Sequence, residues 1–312
     1  MSAAWTTDNL IERAKRKAQR PNNDLNYTDA EILQIADEEM FTFLAPLIRT
    51  TRESYYLKSY TVQSVVGQAN YRIPSDTSAG TIRYCELIDN ATNQTFPVAM
   101  VEPENRSRYL NVNVNWSSPL AVVMMGDQLE MLPSPGQASF SLRVWYEQRR
   151  SLLVPTSSCA QIASVVSPTS FNTGPTPPGW SPGMRVDFVE SQPNFDIISL
   201  ENQLVVVGAP VQVLNPVVAP KTVGAWICPF GYSCIVPLPD LFHFALVGCV
   251  ASAMLEETSD LDTAQALRAE VASRIEGLSA SVEPRAVGMA PVIYNPESPG
   301  RIGQRGGWWG MR

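Results

Sequence analysis

From about Ser54 to Pro239 the apolar residues of this chain come in short alternating runs, and on either side of that stretch they recur at helical spacing. This order constrains the fold more than any single motif, because the two periods bury different faces and cannot be exchanged. On the N-terminal side, Leu10, Ile11, Ala14 and Ala18 share one side of a short helix that Asp8 can cap. Thr28-Asp29-Ala30-Glu31 is a capping box, in which hydroxyl and carboxylate each satisfy a free backbone N–H. Ile32, Ile35, Ala36, Met40, Phe43 and Leu47 then repeat helically, and Pro46 kinks that helix near its end. On the C-terminal side, Asp240 opens a helix carrying Phe242, Ala245, Leu246, Cys249 and Ala253. Ser259-Asp260-Leu261-Asp262 breaks it and caps a second helix with Ala266, Ala269, Ile275 and Leu278 inside and a Glu270–Arg274 pair outside.

Between these ends the punctuation is that of strands. Phe140, Leu142, Val144 and Tyr146 alternate with Ser141, Arg143 and Trp145, so one strand has two chemically distinct faces. Gln128 to Leu132 is a strand closed by Pro133-Ser134-Pro135-Gly136, and Arg83–Ile88 with Thr95–Val101 reads as a hairpin. From about residue 154 to 235 the chain is rich in Pro, Ser and Thr, yet clustered Val and Ile predict a small inserted β subdomain with its own core. The expected fold class is α+β. Residues 1–53 and 240–283 form a helical bundle, 54–239 are a large inserted β region, and 284–312 are an extended C-terminal arm.

The arm is read from composition. Pro and Gly interrupt every element that might start there, while two of the seven Trp stand in the last five residues. Arg and Trp are the residues that carry binding energy at interfaces. Arg285, Tyr294, Arg301, Arg305, Trp308, Trp309 and Arg312 are therefore expected to form a docking arm that orders on assembly. Arg13, Lys15, Arg16, Lys17 and Arg20 make a second basic patch, which contacts phosphates or a partner's acidic groups, or else pairs with the acidic face of the 29–39 helix. A net charge of −7 argues against general nucleic-acid binding. No apolar signal segment opens the sequence, and the longest apolar run, Leu241 to Leu255, is too short for a bilayer core. The five scattered cysteines fit reduced thiols.

The residues of a catalytic site are missing from the sequence pattern. His243 is the only histidine, and it lies between Phe242 and Phe244 in an apolar helix. There is no Gly-x-Ser-x-Gly elbow and no phosphate loop. Cys228 and Cys234 are spaced too widely for a usual zinc pair, and no second pair completes four ligands. Asp37-Glu38-Glu39 and Glu256-Glu257 read as solvated helix faces. The expectation is no catalytic, metal or cofactor residue.

Four segments carry a family resemblance: Thr28 to Leu33, Gly67 to Asp76, Gly126 to Pro133 leading to Leu142–Tyr146, and Val236 to Leu241. In these the chain resembles the head–tail connector, or adaptor, proteins of short-tailed bacteriophages. The resemblance implies a non-enzymatic virion protein, made in the host cytoplasm and placed at the head–tail junction. It implies a homo-oligomeric ring, commonly a dodecamer, between a portal protein and tail or nozzle proteins. Genomic DNA would pass through its channel without sequence-specific binding, and no membrane would be involved. The helical bundle would lie around that channel, and the arm would reach between portal subunits. The alternatives are a virion-associated glycan- or wall-degrading enzyme using an acidic pair in a cleft, and another β-rich tail component.

Overall fold

The computed structural model describes residues 5–19, 27–51, 55–110, 119, 121–190, 195–217, 223–258 and 260–282. The chain opens with α1 (Thr7–Lys17) and α2 (Asp29–Glu39). The capping box forms as written: Glu31 N–H donates to the Thr28 hydroxyl at 3.3 Å, and Thr28 N–H to the Glu31 carboxylate at 2.7 Å. Thr6, not Asp8, takes the cap position of α1, and the Asp8 carboxylate instead accepts from the Thr156 backbone N–H at 3.3 Å. A π-helical turn, Met40–Leu44, joins α2 to α3 (Ala45–Thr51). Pro46 explains its place: proline has no N–H to return, and the widened turn before it lets Ala45 N–H reach back to the Met40 carbonyl.

The next body is a mixed sheet of β1 (Leu57–Gln63), β2 (Asn70–Arg72), β3 (Thr77–Asp89), β4 (Thr95–Val101), β5 (Ala121–Met125), β6 (Gln128–Leu132) and β7 (Phe140–Gln148), in the order β1-β7-β3-β4-β5-β6-β2. A short α4 (Arg106–Leu110) crosses between β4 and β5, which are parallel. The crossover is pinned by Arg106, which donates through two nitrogens to the buried Glu130 carboxylate on β6 at 2.6 and 2.5 Å. The alternation along β7 settles its register: Leu142, Val144 and Tyr146 are buried with Cys85, Leu87 and Val98, while Trp145 lies on the other face, stacked on Tyr84 at 5.5 Å.

A second β body follows β8 (Leu152–Leu153). The strands β9 (Ala160–Ser167), β10 (Ser170–Thr173), β11 (Arg185–Glu190), β12 (Asp196–Val206), β13 (Val211–Val213) and β14 (Trp226–Pro229) close into a barrel in the order β10-β13-β12-β11-β14-β9. Its interior is filled by Phe171 and Phe188, 5.2 Å apart, with Ile162, Val186, Leu204, Val211 and Ile227. Closure removes both sheet edges. The chain leaves through β15 (Tyr232–Ser233), parallel to β8, and ends in α5 (His243–Glu257) and α6 (Leu261–Val282).

The expected helical bundle with an inserted β region is overturned. Strands carry most of the architecture, and the sheet and the barrel each have a core of their own. The helices form one layer centred on α5, which is buried nearly all round, with α1, α2 and α6 lying against it. Helical periodicity in the sequence marks which face of a helix is buried, not how much of the molecule the helices organise. The N-terminus is stitched into the β architecture as well: Thr6 bridges Ile235, Thr7 N–H donates to the Cys234 carbonyl at 2.9 Å, and the Thr7 hydroxyl donates to the Val154 carbonyl at 2.7 Å.

Candidate functional site

One candidate among the described residues is a cleft of about 400 Å³ between the sheet and the barrel. Lys58 and Tyr60 of β1, Asp76 before β3, Tyr146 of β7, and Ile198 and Glu201 of β12 line it. Antiparallel pairing puts Lys58 opposite Tyr146, so both side chains leave the same sheet face. Lys58 Nζ lies 2.6 Å from the Asp196 carboxylate and donates to the Ile197 carbonyl at 2.9 Å, joining the sheet to the barrel. The Tyr146 hydroxyl donates to Asp76 at 2.9 Å. Burial pushes the Asp76 carboxyl above its usual range, with the tyrosine hydrogen bond and Lys58 pulling the other way, and burial likewise raises the Tyr146 phenol. Asp76 and Asp196 are thus each bound by a group of this chain. Lys58 links the two β bodies across the cleft.

His243 is buried at the start of α5. Its ring stacks on Trp5 at 4.5 Å, Nε2 faces the Leu238 carbonyl at 3.0 Å, and Nδ1 lies 3.8 Å from Asp240. Burial lowers its pKa. Nε2 is held by the Leu238 carbonyl, while Asp240 stands beyond hydrogen-bond distance of Nδ1.

The basic residues of α1 each meet a partner within the chain, though Arg13 and Arg16 stay exposed. Arg13 sits over the Trp5 ring at 5.1 Å, Lys15 pairs with Asp29 at 2.8 Å, Arg16 with Glu12 at 2.5 Å, and Lys17 with Glu270 at 3.8 Å. Lys15 is nearly buried, with 8% of its side chain exposed, which no free phosphate contact would require. The arrangement fastens α1 to α2 and α6. Arg20 lies outside the described residues, as do Arg285, Tyr294, Arg301, Arg305, Trp308, Trp309 and Arg312.

Two acidic clusters read from sequence as solvated faces hold the fold together instead. Both Asp37 oxygens accept the Leu153 backbone N–H at 3.1 Å, tying α2 to β8. Arg268 of α6 joins Glu256 at 2.8 Å and Glu39 at 3.5 Å. Burial pushes the Asp37 carboxyl up from 3.8 to about 7 despite that N–H. A carboxyl raised in the folded state contributes stability that is complete below its unfolded pKa and is lost as pH rises through the folded one. Stability against urea should therefore fall between about pH 4 and about 7. In Asp37→Asn, which keeps an acceptor for Leu153, the fall should be visibly shallower. An unchanged pH profile in the variant would refute the assignment.

Among the described residues, one His/Cys/Asp/Glu group has metal-ligand spacing: Cys159, Cys228 and Cys234, all buried. Linear spacing singles out only the last two. Cys159 joins them because Ile227 pairs with Ala160 across β14 and β9, which brings Cys228 opposite Cys159. That is a consequence of register and leaves no mark in the order of residues.

Comparison of the sequence with protein-family models and with curated proteins finds no match.

Proposed function

We propose that this chain is a structural virion protein, a head-to-tail adaptor whose mechanism is binding. The observation that carries the reading is how the chain divides its chemistry. In the described residues, His243, Lys15 of α1, Asp76 and Asp196 are engaged in holding the fold. The Trp- and Arg-rich segment 284–312 follows closely on α6, which ends at Val282. A chain that commits these polar groups to rigidity and carries Trp308, Trp309 and four arginines beyond α6 suits assembly better than turnover.

In this reading the arm docks on a portal protein, and copies of the chain form a ring that receives the tail or nozzle. The net charge of −7 weakens phosphate adhesion, so DNA can pass. No helix among the described residues is long and apolar enough to cross a membrane. The test compares full-length protein with a chain that ends at Ser298, so that residues 299–312 are missing. Full-length protein should co-migrate with purified portal rings at a fixed stoichiometry by native mass measurement. The shortened chain should stay folded, with an unchanged thermal midpoint, and lose portal binding by at least about 100-fold, as expected when two aromatic anchors are removed at roughly 2 kcal/mol each. Undiminished binding would sink the docking role.

A further inference from the structure

We propose that Cys159, Cys228 and Cys234 form a binding site for one thiophilic d10 metal ion, Zn2+ or Cu+, at the junction between the barrel and the helical layer. The entry to one strand and two consecutive elements much later in the chain deliver the ligands. Cys159 stands at the entry to β9, Cys228 lies in β14, and Cys234 follows β15. Each offers one sulfur, and the three sulfurs lie within 4.8 Å of one another. Cys228 Sγ and Cys234 Sγ are 3.8 Å apart. A disulfide needs about 2.05 Å. Thiolates around a single ion at about 2.3 Å stand roughly 3.8 Å apart in tetrahedral geometry and roughly 4.0 Å apart in trigonal geometry. The observed separation thus matches the edge of a coordination polyhedron.

The surroundings select the kind of ion. Cys159 is 5% exposed and the other two are fully buried, packed among Val189, Ile197 and Ile235. Asp187, opposite Cys228 on β11, already accepts the Glu201 and Gly231 N–H groups, both at 2.9 Å, so its oxygens are engaged. An all-sulfur donor set in an apolar shell favours soft ions over Mg2+ or Ca2+. A cysteine binds such an ion as its thiolate, so loading the site displaces thiol protons. Loading Zn2+ forms three Zn–S bonds, releases the thiol protons to solvent and leaves a site of charge −1. Cu+ reaches the same charge with one thiol still protonated.

The site would also have a structural consequence. The Cys234 carbonyl accepts the Thr7 N–H, so an ion here would tie the barrel to the segment that anchors α1. Binding to the folded state alone raises stability by mass action.

The experiment uses the full chain, purified under a non-thiol reductant, incubated with Zn2+ or with Cu+ and freed of excess ion by gel filtration. The expected result is one equivalent of one of these ions retained per chain, a raised thermal midpoint, and an X-ray absorption spectrum with three sulfur neighbours at about 2.3 Å. This readout needs no variant. Retention should fall at least tenfold in Cys159→Ala and stay at one equivalent in Cys85→Ala and Cys249→Ala, which alter buried thiols elsewhere. Failure to retain either ion, a shell of nitrogen and oxygen only, equal loss in the control variants, or a Cys228–Cys234 disulfide in the reduced preparation would each overturn the proposal. None of these outcomes bears on portal binding.

Discussion

Gly248→Ala should destabilise the protein by about 1–2 kcal/mol, although alanine is the better helix former. Gly248 lies in the middle of α5 where α6 crosses, and a Cβ built there would come 2.2 Å from Val271 Cγ2 and 3.4 Å from Lys17 Nζ. Lysine can move its ammonium aside. Valine cannot, since a β-branched side chain in a helix has essentially one rotamer, and Val271 is 2% exposed. Replacing glycine by alanine within a helix gains up to about 1 kcal/mol, and overpacking costs about 1–3 kcal/mol, so at this distance the clash prevails. The decisive check is a double-mutant cycle by urea denaturation. In a Val271→Ala background the same Gly248→Ala change should become neutral or stabilising by up to about 1 kcal/mol. If the cost is the same in both backgrounds, the contact is not its cause.

The second large effect is expected at Asp187, which is fully buried in β11. One of its oxygens accepts from Glu201 N–H and the other from Gly231 N–H. Both partners sit in left-handed backbone conformations, with φ of 51° and 81°, so the carboxylate holds a bulge in β12 and the turn between β14 and β15. Burial raises its pKa to about 6 against those two hydrogen bonds. Asp187→Ala would strand two partly buried donors at about 1–3 kcal/mol each, a total of roughly 2–6 kcal/mol. Asp187→Asn, which keeps one acceptor and turns an amide donor toward the other N–H, should fall between wild type and alanine. Hydrogen exchange should quicken first at the Glu201 and Gly231 amides. Unaltered protection there, with stability within about 0.5 kcal/mol of wild type, would contradict this role.

The helical and strand periods located the elements well because each follows from local burial. The capping box at Thr28, the alternation along β7 and the helix break at Asp260 all depend on residues within one turn or one pleat. The Pro46 distortion was legible for the same reason, since a missing N–H acts within its own helix. The division of the molecule was not. Nothing local distinguishes strands that close a barrel from strands that extend a sheet, and nothing in four amphipathic segments says that they form a layer beside two β bodies rather than a bundle around which β structure is hung.

The same boundary runs through the individual side chains. Sequence was enough to give the character of the 284–312 segment, the single histidine and the poverty of catalytic motifs, because composition and spacing are properties of the chain. Tertiary structure decided what the charged residues do: Asp37 serves Leu153, 116 positions away, and Lys58 reaches Ile197, 139 positions away. It also made a trio of Cys159, Cys228 and Cys234, which lie on one strand entry, a second strand and the turn beyond a third. The physical reason is that ion pairs, buried carboxylates and thiolate clusters depend on distances of a few ångströms in space. Sequence sets those distances only through strand register and layer packing, which emerge when the whole chain has closed on itself.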